Sequence, residues 1–282
     1  MANRLSDVDW FMWNGIKSTT YGIHVLDQPT FTSPKERYSS ITIPGRSGSF
    51  IVTEGNDIYE NITISVKCIV DDIFWQTHDY DIYGYYSGQG FSTKDILRTY
   101  LNGNGKLTFP HMHQDNSEGI PIRRDYYKAR VSNQIDFNQV VAGNPHRTFQ
   151  INFDCEPYAY LGWGDVGQDL VENGGIVDFA NEGNVPSKPL IRIVSAGEPI
   201  TLTAYDRPNG NVTGVMTIAE RPDWYAMWID CDAKVAYDES TPVQLMTGFV
   251  SGDWLQLSTG TAPLHQTGTS HSTIVYPRYR RI

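Results

Sequence analysis

The sequence predicts a mainly β protein of two domains, divided near residue 160, with a single short helix. Three observations predict it. Apolar and polar residues alternate with period two along Ile62–Val70 and again along Phe149–Cys155, as strands with one buried face require. Further strand-like segments, bounded by Gly, Pro, Asn and Asp, recur along the rest of the chain. Only Ser92–Leu101 carries a helical pattern.

In the first half the strand candidates are Ser39–Ile43, Ile62–Val70, Tyr126–Val131 and Phe149–Cys155. In the second half they are Leu190–Val194, Ile200–Tyr205, Val212–Ile218, Ala226–Cys231, Leu255–Leu257 and Thr273–Tyr276. Pro208-Asn209-Gly210 lies between two of them and predicts a tight hairpin, since Asn and Gly both tolerate positive φ. The helix begins on a Ser92 or Thr93 cap and carries Asp95 in its first turn. Ile96, Leu97, Tyr100 and Leu101 form its apolar face, and Gly103 or Gly105 stops it. Residues Gly162–Gly175, with five glycines, predict a linker or loop, and a second run of strands begins near Ile176. Between the Val70 strand and the helix, Asp71–Gly90 holds Tyr80, Tyr83, Tyr85 and Tyr86 among Asp, Gly and Gln, the composition of an aromatic contact loop.

Charge limits the partners. The 282 residues contain 22 Lys+Arg against 32 Asp+Glu, a net charge of −10, and both halves are acidic. Duplex binding depends on neutralising phosphates with Lys and Arg, so specific nucleic-acid recognition is excluded as the expected role. No run approaches the apolar length of a membrane-spanning helix, and MANRLSDVDW lacks an apolar signal core, so the chain is expected to be soluble where it is made. Three scattered cysteines, Cys68, Cys155 and Cys231, predict reduced core residues rather than a disulfide framework.

The chemistry-bearing motifs are weak. Asn102-Gly103-Asn104-Gly105-Lys106 is a turn rather than a phosphate loop, because Leu follows the lysine and the helix ends there instead of starting. His111 and His113 would share a face in an extended segment, but no further ligand is singled out, so no metal is expected. Asp79/Asp81, Asp230/Asp232 and Asp238/Glu239 are the acid pairs a glycosidase would draw on, at a density any acidic β-protein supplies. There is no Gly-x-Ser-x-Gly elbow and no Cys/His zinc spacing. Asn61-Ile62-Thr63 and Asn211-Val212-Thr213 match the glycosylation sequon by chance. No catalytic residue and no cofactor are expected. Trp224, Tyr225 and Trp228 are the densest aromatic group and the candidate saccharide contact.

Five segments in order carry a family resemblance: Phe11–Gly15 with Tyr21-Gly22-Ile23; Ile43-Pro44-Gly45-Arg46-Ser47-Gly48, preceded by Arg37 and followed by Tyr59; the helix Ser92–Leu101 running into Gly105-Lys106-Leu107; Tyr126–Val131 with Arg147-Thr148-Phe149 and Phe153–Tyr160; and Asn184–Ile193, Ile229–Asp232 and Pro277–Arg281. Together they resemble the distal tail proteins (Dit) of phages with long non-contractile tails. Two features depart from that pattern. Gly260-Thr261-Ala262-Pro263 replaces the usual Gly-x-Asn-x-Ile, and Asp71–Gly90 is longer than typical.

The resemblance implies an N-terminal ring-forming domain over 1–160, β-sandwich-like, with one short helix and a belt hairpin that clasps the neighbouring subunit. It implies a C-terminal galectin-like β-sandwich over 161–282. Six copies would form a ring joining the tail tube protein to a tail-associated hub or lysin protein and to receptor-binding or baseplate proteins. The location would be the virion tail tip after assembly in the host cytoplasm, with DNA passing an acidic channel it does not stick to. Subunit contact falls to Ile43, Pro44, Gly45, Arg46 and Gly48, and to Tyr83, Tyr85 and Tyr86 of the aromatic loop. The role is structural and non-enzymatic. The alternative is a carbohydrate-binding adhesion module for host cell-wall saccharide, with Trp224, Tyr225 and Trp228 as its contact.

Overall fold

The fold is built on the two alternating segments, which become neighbours in one sheet. The computed structural model describes residues 9–53, 58–70, 93–115, 121–135, 148–171, 175–207 and 210–282. It divides into two compact units, 1–159 with Ile282, and 160–281. In the first, the strands are β1 (Met12–Trp13), β2 (Ile16–Lys17), β3 (Ile23–Val25), β4 (Tyr38–Thr42), β5 (Ser49–Thr53) and β6 (Ile62–Val70). After the helix α1 (Thr93–Tyr100) come β7 (Asn104–Thr108), β8 (His113–Asp115), β9 (Pro121–Arg124), β10 (Tyr126–Val131) and β11 (Thr148–Tyr160).

The main sheet runs β2-β1-β7-β10-β11-β6-β3. β6 and β11 pair antiparallel with Ile62↔Cys155, Ile64↔Phe153, Val66↔Ile151 and Cys68↔Phe149 opposite one another. The inward residues of one strand therefore face the inward residues of the other, and Ile64, Val66, Cys68, Ile151, Phe153 and Cys155 are fully buried. Phe153 is the hub of an aromatic cluster, with Phe11 edge-on and Trp13 tilted, each at 5.4 Å. Leu97, Tyr100 and Leu101 of α1 and its following turn are buried in the same core.

Gly103 has φ +76° and ends the helical turn. Gly105 does not stop the helix. It lies inside β7, where an added Cβ would sit 2.5 Å from Asn14 Oδ1 and 2.7 Å from Trp13 Cζ2, so its need is close approach. The P-loop-like motif is thus a turn entering a strand. Ser92 and the side chain of Ile96 lie outside the described residues, as does the whole Asp71–Gly90 segment with Asp79, Asp81, Tyr80, Tyr83, Tyr85 and Tyr86.

The second unit contains β12 (Gln168–Asp169), β13 (Ile176–Asn181), β14 (Leu190–Ser195), β15 (Ile200–Asp206), β16 (Asn211–Ile218), β17 (Ala226–Asp230), β18 (Val235–Asp238), β19 (Val250–Gly252), β20 (Gly260–Thr267), β21 (Ser270–Tyr276) and β22 (Arg280–Arg281). Two five-stranded sheets, β12-β21-β14-β17-β18 and β13-β20-β15-β16-β19, hold one hydrophobic core that includes Phe179, Ile191, Leu202, Met216, Ile229, Leu264 and Val275. That is a β-sandwich. β15 and β16 form the predicted hairpin, ending on the pair Asp206↔Asn211, with Gly210 at φ +67°. Pro208 and Asn209 themselves lie outside the described residues.

Two expectations are corrected, and one hidden strand is added. Leu255–Leu257 is not a strand: both leucines are fully buried, but Leu257 makes only an isolated bridge to Ser187. Gly162–Gly175 is not a free linker. Leu161 and Leu170 belong to the core, and Gly164 and Gly167 pack so closely that a Cβ would fall 2.4 Å from Tyr279 N and 2.6 Å from Ile274 Cγ2. These glycines mark tight packing rather than slack. β20 is a strand the sequence hides, because it contains Pro263. Its ladder with β15 ends at Leu264, so no bond to β15 is lost to the missing N–H.

All three cysteines are free and buried. Burial pushes the Cys155 and Cys231 thiols up to about 12 and raises that of Cys68 as well, so they pack as small apolar groups.

Candidate functional site

β4 and β5 form a hairpin that, among the described residues, pairs only with itself. Its register is Tyr38↔Thr53, Ser39↔Val52, Ser40↔Ile51, Ile41↔Phe50 and Thr42↔Ser49. Opposed residues share a face, and faces alternate along a strand. One face therefore carries Ile41, Phe50 and Val52 beside Ser39. The other carries Ser40, Thr42, Ser49 and Thr53 with Tyr38 and Ile51. The arm is amphipathic, as a half-buried strand pair would be.

Its apolar face is not covered. Ile41 is 51%, Phe50 49% and Val52 39% exposed, and Ile43 at the turn is 41% exposed. Lone two-stranded hairpins are marginal in water, and contiguous exposed apolar side chains mark contact surfaces. At the base, Arg37 N–H donates to Ile58 O at 2.9 Å, Glu60 N–H to Lys35 O at 2.8 Å, and Glu36 bridges Tyr59. These bonds fix where the arm leaves the domain.

The tip is Ile43-Pro44-Gly45-Arg46-Ser47-Gly48. Arg46 N–H donates to Ile43 O at 3.2 Å, closing the turn. Gly45 and Gly48 both have φ +81°, and a Cβ at either would meet nothing within 4 Å, so the requirement is backbone conformation alone. The structure thus brings Ile43, Pro44, Gly45, Arg46 and Gly48 together on one exposed tip. Tyr83, Tyr85 and Tyr86 lie outside the described residues.

The aromatic trio of the second unit is dispersed. Trp224 is 68% exposed and stacks on His271, with ring centroids 3.7 Å apart. Tyr225 packs against the sandwich core under the Arg221 guanidinium, 4.4 Å above its ring. Trp228 lies on the outer face of β17, 5.8 Å from Tyr276. Sequence adjacency gave no sign of His271, which reaches Trp224 because the start of β21 comes beside the β16–β17 loop.

The histidine pair does not converge. Pro110–Met112 is a 3-10 turn rather than an extended segment. His111 stacks on Phe109 and meets Phe31 edge-on at 5.3 Å, whereas His113 meets Trp10 edge-on at 6.0 Å. Among the described residues no group of three or more His, Cys, Asp and Glu is placed to hold a metal ion.

The described acid pairs are tied into turns and ion pairs. Asp230 accepts both contacts of Arg278 at 3.0 Å and caps the Asp232 and Ala233 N–H groups. Asp232 meets Lys188 at 3.0 Å. Glu239 takes a bidentate bond from Arg192, which holds its carboxyl below the usual range. Asp238 accepts from Ser240 Oγ at 2.6 Å and Thr241 N at 2.7 Å, and the Ser240 hydroxyl is the first cause that lowers it from 3.8 to about 2.

That depression has a sign. A carboxyl lowered by folding stabilises the fold above its unfolded value and loses the contribution as pH falls through its folded value. Ser240→Ala should lower the thermal midpoint at pH 7, and the gap to wild type should close as pH approaches about 2. Melts across that range check it; a gap independent of pH would rule out the Asp238 contact as its source.

No family model matches the chain. No curated protein matches it either. Among solved structures, it is similar to the SPP1 Dit protein, described as a paradigm of the hub adsorption apparatus in Gram-positive infecting phages. The TM-score is 0.56 at 18% identity, over 95% of this chain and 97% of that one. A chain of the phage P2 baseplate, in its activated conformation with Ca, aligns at TM-score 0.49 and 10% identity over 97% of this chain and 98% of that one. A chain of the phage p2 baseplate with Sr aligns at 0.44 and 10% over 92% of each. The resemblance carried by the sequence motifs thus extends to the fold across nearly the whole chain.

Proposed function

We propose, from the fold shared with the SPP1 Dit protein, that this chain is a structural hub protein of a phage tail tip. Copies assemble into a ring through the Tyr38–Thr53 arm, and the ring joins the tail tube to the adhesion apparatus. The observation that carries the reading is the amphipathic arm with Ile41, Phe50 and Val52 exposed on one face. A neighbouring copy laid against that face would bury the stripe and supply the third layer that a two-stranded hairpin lacks. Arg46 at the tip would reach carboxylates or carbonyls of that neighbour.

The remaining assignments follow from the same role. Six copies form the ring, the second sandwich faces the baseplate or receptor-binding proteins, and the acidic wall lets DNA pass without adhering. The protein belongs to the virion, is assembled in the host cytoplasm, and performs no catalysis.

Multi-angle light scattering on the purified chain tests it. A hexamer of the 31.8 kDa chain gives about 191 kDa. A strict monomer at every concentration, both alone and mixed with the tail tube protein, would overturn the ring.

A further inference from the structure

We propose that Trp224 is the stacking platform of a second site, which binds a neutral hexose or N-acetylhexosamine unit of an oligosaccharide. The proposal concerns the second unit alone and stands whether or not a ring forms.

Three observations carry it. First, Trp224 holds φ +61°. That region is unfavourable for a bulky L-residue, and such strain persists only where the surroundings impose it. They do so through Ser195. Ser195 O accepts from Trp224 N–H at 2.8 Å, Ser195 N–H donates to Tyr225 O at 2.9 Å, and Ser195 Oγ donates to Arg221 O at 3.1 Å. The loop is held at three atoms of one buried residue, so the ring is positioned before any ligand arrives.

Second, only one face of the indole is taken. His271 lies parallel to it, at 10° and 3.7 Å, and Trp224 is still 68% exposed. A tryptophan that plugs a protein pocket needs both faces and its edge enclosed. An indole backed on one side and open on the other offers a flat apolar surface to a flat apolar partner. The C–H face of a pyranose ring has that shape and chemistry, with hydroxyls around its rim.

Third, the rim is polar and acidic. Asp223 Oδ1 meets His271 Nε2 at 2.7 Å, which fixes the imidazole beneath the indole. The second Asp223 oxygen can accept from a sugar hydroxyl, the Asp223 side chain being 61% exposed. Asp223 is exposed and bonded to the imidazole that backs the ring, so its charge disfavours uronic acids and phosphorylated glycans. The class that remains is neutral sugar.

Isothermal titration of the full chain with cellotetraose, maltotetraose, galactotetraose and chitotetraose tests the site. At least one should bind with a dissociation constant of about 0.1–10 mM. Trp224→Gly removes the ring and relieves the backbone strain, so it should melt no lower than wild type and bind at least about tenfold more weakly. Trp224→Tyr keeps an aromatic face and should stay within about threefold of wild type. Binding by none of the four, or equal binding by Trp224→Gly, overturns the proposal. Loss of a protein partner in Trp224→Gly without any sugar binding overturns it in favour of a protein contact.

Discussion

With Ile41 and Phe50 both replaced by Asp, the protein should run as a monomer at concentrations where wild type runs as an oligomer. The two side chains sit directly opposite one another, 51% and 49% exposed, at the centre of the arm's apolar face. In the isolated subunit the change places charges in water and costs the fold little. In a subunit contact it would bury two unpaired carboxylates, a penalty of at least about 4 kcal/mol, or about a thousandfold in dissociation constant. Sedimentation velocity reads the assembly and a melt reads the fold. Ser40→Asp with Thr42→Asp on the hydroxyl face is the control and should keep the oligomer. If the double apolar variant assembles as wild type does, the arm is not the contact. If both variants are monomeric, the apolar stripe has no special part.

Phe153→Ala should lower the stability of the first unit by about 3–5 kcal/mol. Phe153 is fully buried at the middle of β11, opposite Ile64, with the Phe11 and Trp13 rings each 5.4 Å away. Strand neighbours on both sides and a rigid aromatic pair leave little room for the cavity to collapse, which puts the cost toward the upper end. Scanning calorimetry should show the transition of the 1–159 unit falling by on the order of 10 °C. The sandwich over 160–281 has its own core and should keep its transition. A fall of only a degree or two would show that the aromatic cluster repacks around the loss.

The Asp pair and the Phe153 change draw on different kinds of information, and the sequence carried them unequally. Ile64, Val66 and Cys68 against Ile151, Phe153 and Cys155 were legible as core residues because a one-sided strand writes its burial into a period of two. The Ile43–Gly48 segment was legible through the family resemblance, and its glycines answer local backbone demands at φ +81°. β20 was not legible, because Pro263 argues against a strand unless the partner's extent is known. The glycines of Gly162–Gly175 resembled slack, although Gly164 and Gly167 are there because Tyr279 and Ile274 leave no space for a Cβ.

At the candidate sites the division is sharper. Ile41 lies in a predicted strand, but β5 with Phe50 and Val52 is not predicted as one, so the strand pair emerges only from the structure. Only the tertiary structure reveals that these side chains are exposed among the described residues of their domain. Trp224, Tyr225 and Trp228 look like one patch because they are close in the chain, yet the β16–β17 loop and β17 send them to three surroundings, and the partners that define Trp224 come from Ser195 and His271. By itself the sequence determined the β character and the burial of Cys68 and Cys155, since strand alternation is written over a few positions, and its ordered motifs carried the resemblance to a tail-hub family. The tertiary structure decided which apolar face stays open and which ring is backed, because exposure depends on chain segments distant in sequence.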